Sequence, residues 1–132
     1  CALEKASLGR YHFRQLEKIP LHLKNKYFEC KHDYFYIRER YKQAVKFRRH
    51  NLLASFNDSI PAMQLILCRN VFIYFKVEIQ ERLIEQFSRQ LTTGGYFITG
   101  CVEIINNPVR FGLERKIPAV YKKVSASPPR AD

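Results

Sequence analysis

Gln64-Leu65-Ile66-Leu67-Cys68-Arg69-Asn70 is the stretch whose reading decides the fold. An apolar run of this length, ending abruptly in a cation and an amide, predicts a parallel β-strand covered on both faces. Behind it comes an apolar patch, Val71 to Phe75, and then a helix from about Val77 to Leu91. Ile79, Leu83, Ile84, Phe87 and Leu91 fall at steps of four, one, three and four, which places them on one helical face. Thr92-Thr93-Gly94-Gly95 closes that helix with glycines suited to positive φ, and Tyr96-Phe97-Ile98-Thr99-Gly100 reads as the next strand. Strand, helix, strand is a right-handed βαβ unit of a parallel sheet, so the fold class is α/β.

Working outward, residues 2–18 read as helical, with Gly9 interrupting the helix and Pro20 limiting it. Leu21 to Phe28 forms a short helical turn leading into Tyr27-Phe28. Tyr34 to Arg38 and Ala44 to Phe47 are β-rich and read as two strands, and Ala119 to Val124 as the last one. Ser125 to Asp132, rich in Pro and Ser, reads as a flexible tail.

The 132 residues suffice for one domain with one core. With 46% hydrophobic and 27% charged residues, wholesale disorder is excluded. No run of about 18 apolar residues exists, so no membrane span is expected. Cys1-Ala2-Leu3-Glu4-Lys5 places charges where a signal peptide needs apolar residues, and it lacks Met. The expectation is a portion of a longer, cytoplasmic protein. Cys1, Cys30, Cys68 and Cys101 form no C-x-x-C pair, which fits a reducing compartment. The net charge is +11, and residues 1–50 hold 13 basic groups against 5 acidic ones. Such a front half either meets an anionic partner or serves as a solubilising surface.

Ligands of open parallel sheets bind at the carboxyl ends of the strands. Three polar sets fall there: Arg48-Arg49-His50-Asn51-Leu52, Cys68-Arg69-Asn70 and Gly100-Cys101-Val102-Glu103. Asn51 is either a ligand contact or an ordinary turn or cap residue. Arg69 and Asn70, directly after a buried strand, need partners of their own. The four His residues lack metal-ligand spacing, so no metal is expected. No Gly-rich phosphate loop or G-x-S-x-G elbow occurs. Tyr34, Phe35 and Tyr36 beside Arg38, Arg40 and Lys42 either pack a hairpin or stack bases.

Cys68-Arg69-Asn70-Val71-Phe72-Ile73-Tyr74-Phe75 closely resembles the C-R-N-V-L-I-Y-F signature of CheR-type chemoreceptor methyltransferases. The resemblance runs along nearly the whole chain. Ala2 to Tyr11 is similar to the family's A-L-x-x-A-x-x-G-x-Y, Tyr27-Phe28 to its Y-F, and Val45-Lys46-Phe47 with Asn51-Leu52-Leu53 to its V-x-F-x-x-x-N-L-L. Gly94-Gly95 and Tyr121 match its glycine turn and its closing strand. The resemblance implies the second half of a class I S-adenosylmethionine-dependent methyltransferase sheet, Rossmann-like. Residues 1–124 would form the C-terminal portion of that domain, with a small antiparallel β hairpin subdomain and the strand after it at residues 27–47.

The resemblance also implies function. The activity is methylation of glutamate side chains of chemotaxis receptors, with S-adenosylmethionine as cofactor and S-adenosylhomocysteine as product. Asn51, Leu52, Cys68, Arg69 and Asn70 would line the cofactor pocket, and Arg69 and Tyr74 would orient the substrate glutamate; a packed aromatic is the other reading of Tyr74. The implied partner is the receptor's cytoplasmic helical bundle, with no nucleic acid.

Departures from the pattern carry expectations too. Gln64 stands where the family has Asp, and Gly100-Cys101-Val102-Glu103 replaces G-H-S-E. The family's first strand with its glycine loop, and the acid that holds the ribose, have no counterpart in these residues, so the chain alone is expected not to be competent. Glu29 to Tyr34 is short and has no Gly, which predicts that the pentapeptide tether of some relatives is not used. The competing reading is a non-catalytic methyltransferase-like module that binds a protein partner or RNA.

Overall fold

The structure, a computed structural model, describes residues 1–54 and 60–124. The chain forms two compact units, residues 1–50 and residues 51–132. The length argument gave one domain with one core; among the described residues nearly all buried side chains belong to the second unit, while Leu16 is the buried hydrophobic of the first.

In the first unit, helix α1 (Ala2–Leu8) ends at Gly9, whose left-handed backbone (φ 58°, ψ 33°) stops the helix and turns the chain. Tyr11 therefore leaves the helix expected over residues 2–18 and lies in strand β1 (Arg10–His12). A 3-10 turn follows at Phe13–Leu16, and helix α2 (Leu21–Tyr27) starts directly after Pro20, as the sequence suggests. Strands β2 (Phe28–Lys31) and β3 (Tyr34–Ile37) form the expected antiparallel hairpin, and β1 adds to the far side of β3. The edge-on contacts Tyr11–Phe28 and Phe28–Phe35, at 6.0 and 6.3 Å between ring centres, use these aromatics as packing. Tyr34 and Tyr36 instead carry the cations of Arg10 and Lys31 on their faces.

The strand expected at residues 44–47 does not form. Helix α3 (Glu39–Lys42) unwinds through turn bonds, Ala44 N–H to Tyr41 O and Val45 N–H to Lys42 O. Residues 45–47 then take no strand pairing among the described residues, and β propensity alone cannot make a strand without one.

The second unit holds a four-stranded mixed sheet of order β4-β5-β7-β6, built from β4 (Met63–Leu67), β5 (Leu91–Ile98), β6 (Leu113–Ile117) and β7 (Val120–Lys123). The βαβ expectation is met: β4 and β5 pair in parallel through helix α4 (Val77–Gln90). Leu83, Ile84 and Phe87 of α4 are buried against Phe97 of β5, Phe72 and Tyr121. Full burial of each such side chain contributes about 1.5–3 kcal/mol. The rings of Phe72, Phe87 and Phe97 lie 5.4–6.3 Å apart.

Two details differ from the sequence reading. β4 is not covered on both faces: Leu65 and Leu67 are more than half exposed, while Ile66 packs on the core. Among the described residues it is an edge strand whose covered face is the one turned to α4. Gly94-Gly95 does not close the helix either, because α4 passes into β5 at Leu91. The glycines lie inside β5 at an irregularity in the ladder, where Met63 pairs with Leu91 and Leu65 with Tyr96. Gly94 takes φ 86° there. Strand β6 has no sequence forecast, since Glu114, Arg115 and Lys116 mask it as a charged loop. The expected strand before Val124 is present as β7, and the tail expected over residues 125–132 lies outside the described residues.

Candidate functional site at the strand ends

The ladder between β4 and β5 extends to Cys68, whose N–H donates to Ile98 O at 2.9 Å. Two residues later Asn70 adopts a left-handed backbone, φ 58°, a conformation Asn tolerates better than most residues. The chain turns there, and Phe72–Tyr74 continue as a 3-10 turn. Gln80 of α4 fixes this turn by donating its side-chain amide to Phe72 O and Phe75 O, at 3.0 and 2.9 Å.

Glu103 stands at the centre of the strand ends. It follows β5 on a turn closed by its own N–H to Gly100 O and by Thr99 Oγ1 to Glu103 O. Its Oε2 accepts from Gly100 N–H at 2.6 Å and from Asn70 N–H at 2.7 Å, and its Oε1 from Phe72 N–H at 2.8 Å. Burial works to raise the carboxyl pKa, but hydrogen bonds from the backbone of Gly100, Asn70, Phe72 and Val71 outweigh it and hold the group below the ordinary glutamate value. Gly100 makes room for this arrangement. A Cβ at that position would stand 2.5 Å from Asn70 Oδ1 and 2.6 Å from Glu103 Oε2.

Burial, helped by the charge of Glu103, pushes the Cys68 thiol up to about 11. Cys68 is therefore a neutral wall and not a nucleophile. Arg69 and Tyr74 are exposed, and their side chains take no hydrogen bond, ion pair or ring contact among the described residues. Tyr74 is 80% exposed, so the packed-aromatic reading does not describe it.

Asn51 and Leu52 join the same unit. Asn51 Oδ1 accepts from Leu53 N–H at 3.0 Å, a side-chain turn of the kind the sequence allowed. Arg82 of α4 donates to Leu53 O at 3.0 Å and holds that turn down, and Leu52 packs against the core cluster that contains Cys68. Arg48, Arg49 and His50 belong to the first unit. Beside Glu103 lies a pocket of about 130 Å3 lined by Phe72, Ile73, Gln80 and Val102. The first unit has a larger apolar groove of about 770 Å3, between Leu23, Ile37, Tyr41 and Val45. Neither of the two is lined by Asn51, Leu52, Cys68, Arg69 or Asn70; of the strand-end polar groups, Glu103 alone lines the smaller one.

Sequence reasoning set Glu103 among the strand-end polar residues but gave it no role. The available signal was the pairing of Gly100 with an acid three residues on, where the loop can fold the carboxylate back onto its own N–H groups.

Fold and strand ends together define a class: an α/β domain that gathers polar groups and a buried anion at the carboxyl ends of parallel strands, where nucleotide-type cofactors bind. The family described as CheR methyltransferase, SAM binding domain, matches residues 1–117, and the chain belongs to that family. It is 35% identical to a chemotaxis protein methyltransferase of Listeria monocytogenes over 84% of this chain and 42% of that protein. It is 33% identical to one of Borreliella burgdorferi over 92% of this chain and 42% of that protein, and 33% identical to chemotaxis protein methyltransferase 2 of Vibrio cholerae over 74% and 35%. The chain thus spans about two fifths of the length of the Listeria and Borreliella relatives.

The family's cofactor is S-adenosylmethionine. Leu52 and the neutral Cys68 are apolar surfaces, and Asn51 and Asn70 offer amides. No helix among the described residues is long and apolar enough to cross a membrane.

Proposed function

We propose that this chain is part of the catalytic domain of a protein-glutamate O-methyltransferase acting on chemotaxis receptors in the cytoplasm. The observation that carries this is the strand end itself: Arg69, exposed and without a partner among the described residues, directly precedes a turn held by the buried Glu103. Asn51, Leu52, Cys68 and Asn70 form the cofactor side. Bound there, S-adenosylmethionine supplies an electrophilic methyl group on a sulfonium.

Arg69 holds the substrate glutamate by its carboxylate, and the hydroxyl of Tyr74 gives a second donor. The acceptor is already ionised near pH 7, so alignment matters more than a general base. The high pKa of Cys68 keeps its thiol from competing as a methyl acceptor. The excess of cations on residues 1–50 suits an acidic helical receptor surface and accelerates encounter with it. The β2–β3 hairpin turns through His32-Asp33 alone, and so short a turn supports docking without a pentapeptide tether.

Calorimetric titration with S-adenosylhomocysteine, by this chain and by the intact protein that carries it, tests the cofactor side. The intact protein is expected to bind. Methyl transfer to a receptor cytoplasmic fragment should fall by about 100-fold in Arg69→Ala. Near-normal transfer by a folded Arg69→Ala protein would refute the role of Arg69, and steeply salt-dependent RNA binding without methyl transfer would favour the binding module.

A further inference from the structure

A buried carboxylate is costly unless its oxygens are satisfied. Those of Glu103 are satisfied by main chain: N–H groups of Asn70 and Phe72 from the exit of β4, and of Gly100 from the exit of β5. The anion therefore joins the two strand exits, and the first amide it holds on the β4 side belongs to the residue after Arg69. That residue also carries the left-handed backbone, φ 58°, a sharp change of direction that the carboxylate's bonds on either side of it hold in place. Gly100 supplies the space, since a Cβ there would overlap both Asn70 Oδ1 and the carboxylate.

We propose that Glu103 is a positioning residue: its carboxylate, bound by the N–H groups of Asn70, Phe72 and Gly100, fixes the turn that presents Arg69 and Asn70 at the end of β4. The inference deepens the methyltransferase reading and rests on it only for the catalytic readout below. Glutamine is not a substitute. Its amide keeps one acceptor oxygen but turns an NH2 group toward N–H donors, and it loses the charge that strengthens all three bonds.

The first test needs no variant. In the isotopically labelled chain, the amide protons of Asn70, Phe72 and Gly100 should titrate together, with one midpoint below the ordinary glutamate value. Cys68, the titratable neighbour that senses Glu103, ionises far above that range. In Glu103→Gln the shared titration should vanish, and exchange at the three amides should accelerate by about tenfold or more. Amides that titrate separately, or not at all in the wild type, would overturn the proposal.

The second test is a double-mutant cycle in the intact protein. Glu103→Gln should lower kcat more than it raises KM for S-adenosylmethionine. Combined with Arg69→Ala, it should add little further loss, because both changes remove the same alignment. Losses that multiply would mean that Glu103 only supports the fold, which overturns the proposal. Full activity in Arg69→Ala would sink the role of Arg69, while the amide titration would still decide whether Glu103 sets the turn.

Discussion

Replacing Gly100 with Ala separates steric from torsional control of the strand ends. Gly100 is not among the positive-φ glycines, so the backbone itself accepts Ala. With open space the change would stabilise the chain by about 0.4–1 kcal/mol, through lower entropy of the unfolded state. The space is not open. The new methyl would lie 2.5 Å from Asn70 Oδ1, 2.6 Å from Glu103 Oε2 and 3.1 Å from Asn70 N. Relief requires the carboxylate or the Asn70 turn to move by about 1 Å to reach ordinary contact, which stretches bonds now 2.6 and 2.7 Å long. Loss of one charge-assisted bond costs about 1.5–3 kcal/mol, and overpacking about 1–3 kcal/mol. Against the entropic gain, the net destabilisation is about 1.5–5.5 kcal/mol. Gly94→Ala is the control: its Cβ meets nothing within 4 Å, and only its φ of 86° resists, for about 1 kcal/mol. Urea denaturation followed by far-ultraviolet circular dichroism measures both. A Gly100→Ala chain as stable as Gly94→Ala would refute the crowding argument.

Three further outcomes follow from the same geometry. Tyr121→Phe should cost about 1–3 kcal/mol in urea denaturation, since it leaves the buried N–H of Ile105 without its 2.9 Å acceptor; an unchanged midpoint would contradict this. Because the folded Glu103 carboxyl lies below its ordinary 4.5, its stabilisation is present above that value and lost as pH falls through the folded pKa; acid titration of stability should flatten in Glu103→Gln. Between pH 7 and pH 8, Cys68 should carry about 100-fold less thiolate than an ordinary cysteine. In iodoacetamide labelling read by mass spectrometry it should lag behind the exposed Cys30 and Cys101, and equal labelling would exclude a buried neutral thiol.

The βαβ unit was legible because α4 concentrates its apolar residues on one face and β4 is short, apolar and abruptly ended. Residues 44–47 misled for a physical reason. Val45 and Phe47 have the side chains of a strand, but backbone pairing depends on a neighbour that local sequence does not report. β6 was hidden by the opposite effect. Glu114 and Lys116, a 2.7 Å ion pair, are charges that blunt an exposed edge, and in sequence such a strand looks like a loop. At the site, Arg69 and Asn70 stood out by following an apolar run that ends abruptly. The role of Glu103 did not, because it depends on three main-chain donors from residues up to 33 positions away, and a residue string carries no main-chain direction.

The irregular stretch of β5 has a bearing on how this sequence can change in length. Between the pairs Met63–Leu91 and Leu65–Tyr96, one residue of β4 faces four of β5. The registers on either side are set by their own pairings and not by the number of residues between them. An insertion or deletion within Thr92 to Gly94 would be taken up there without moving Tyr96, Phe97 or Ile98 along β4. Gly95 marks the far limit, because a Cβ there would come within 2.9 Å of Gln64 O. The helix can therefore gain or lose a residue at its exit while the strand that leads to Gly100 and Glu103 keeps its place.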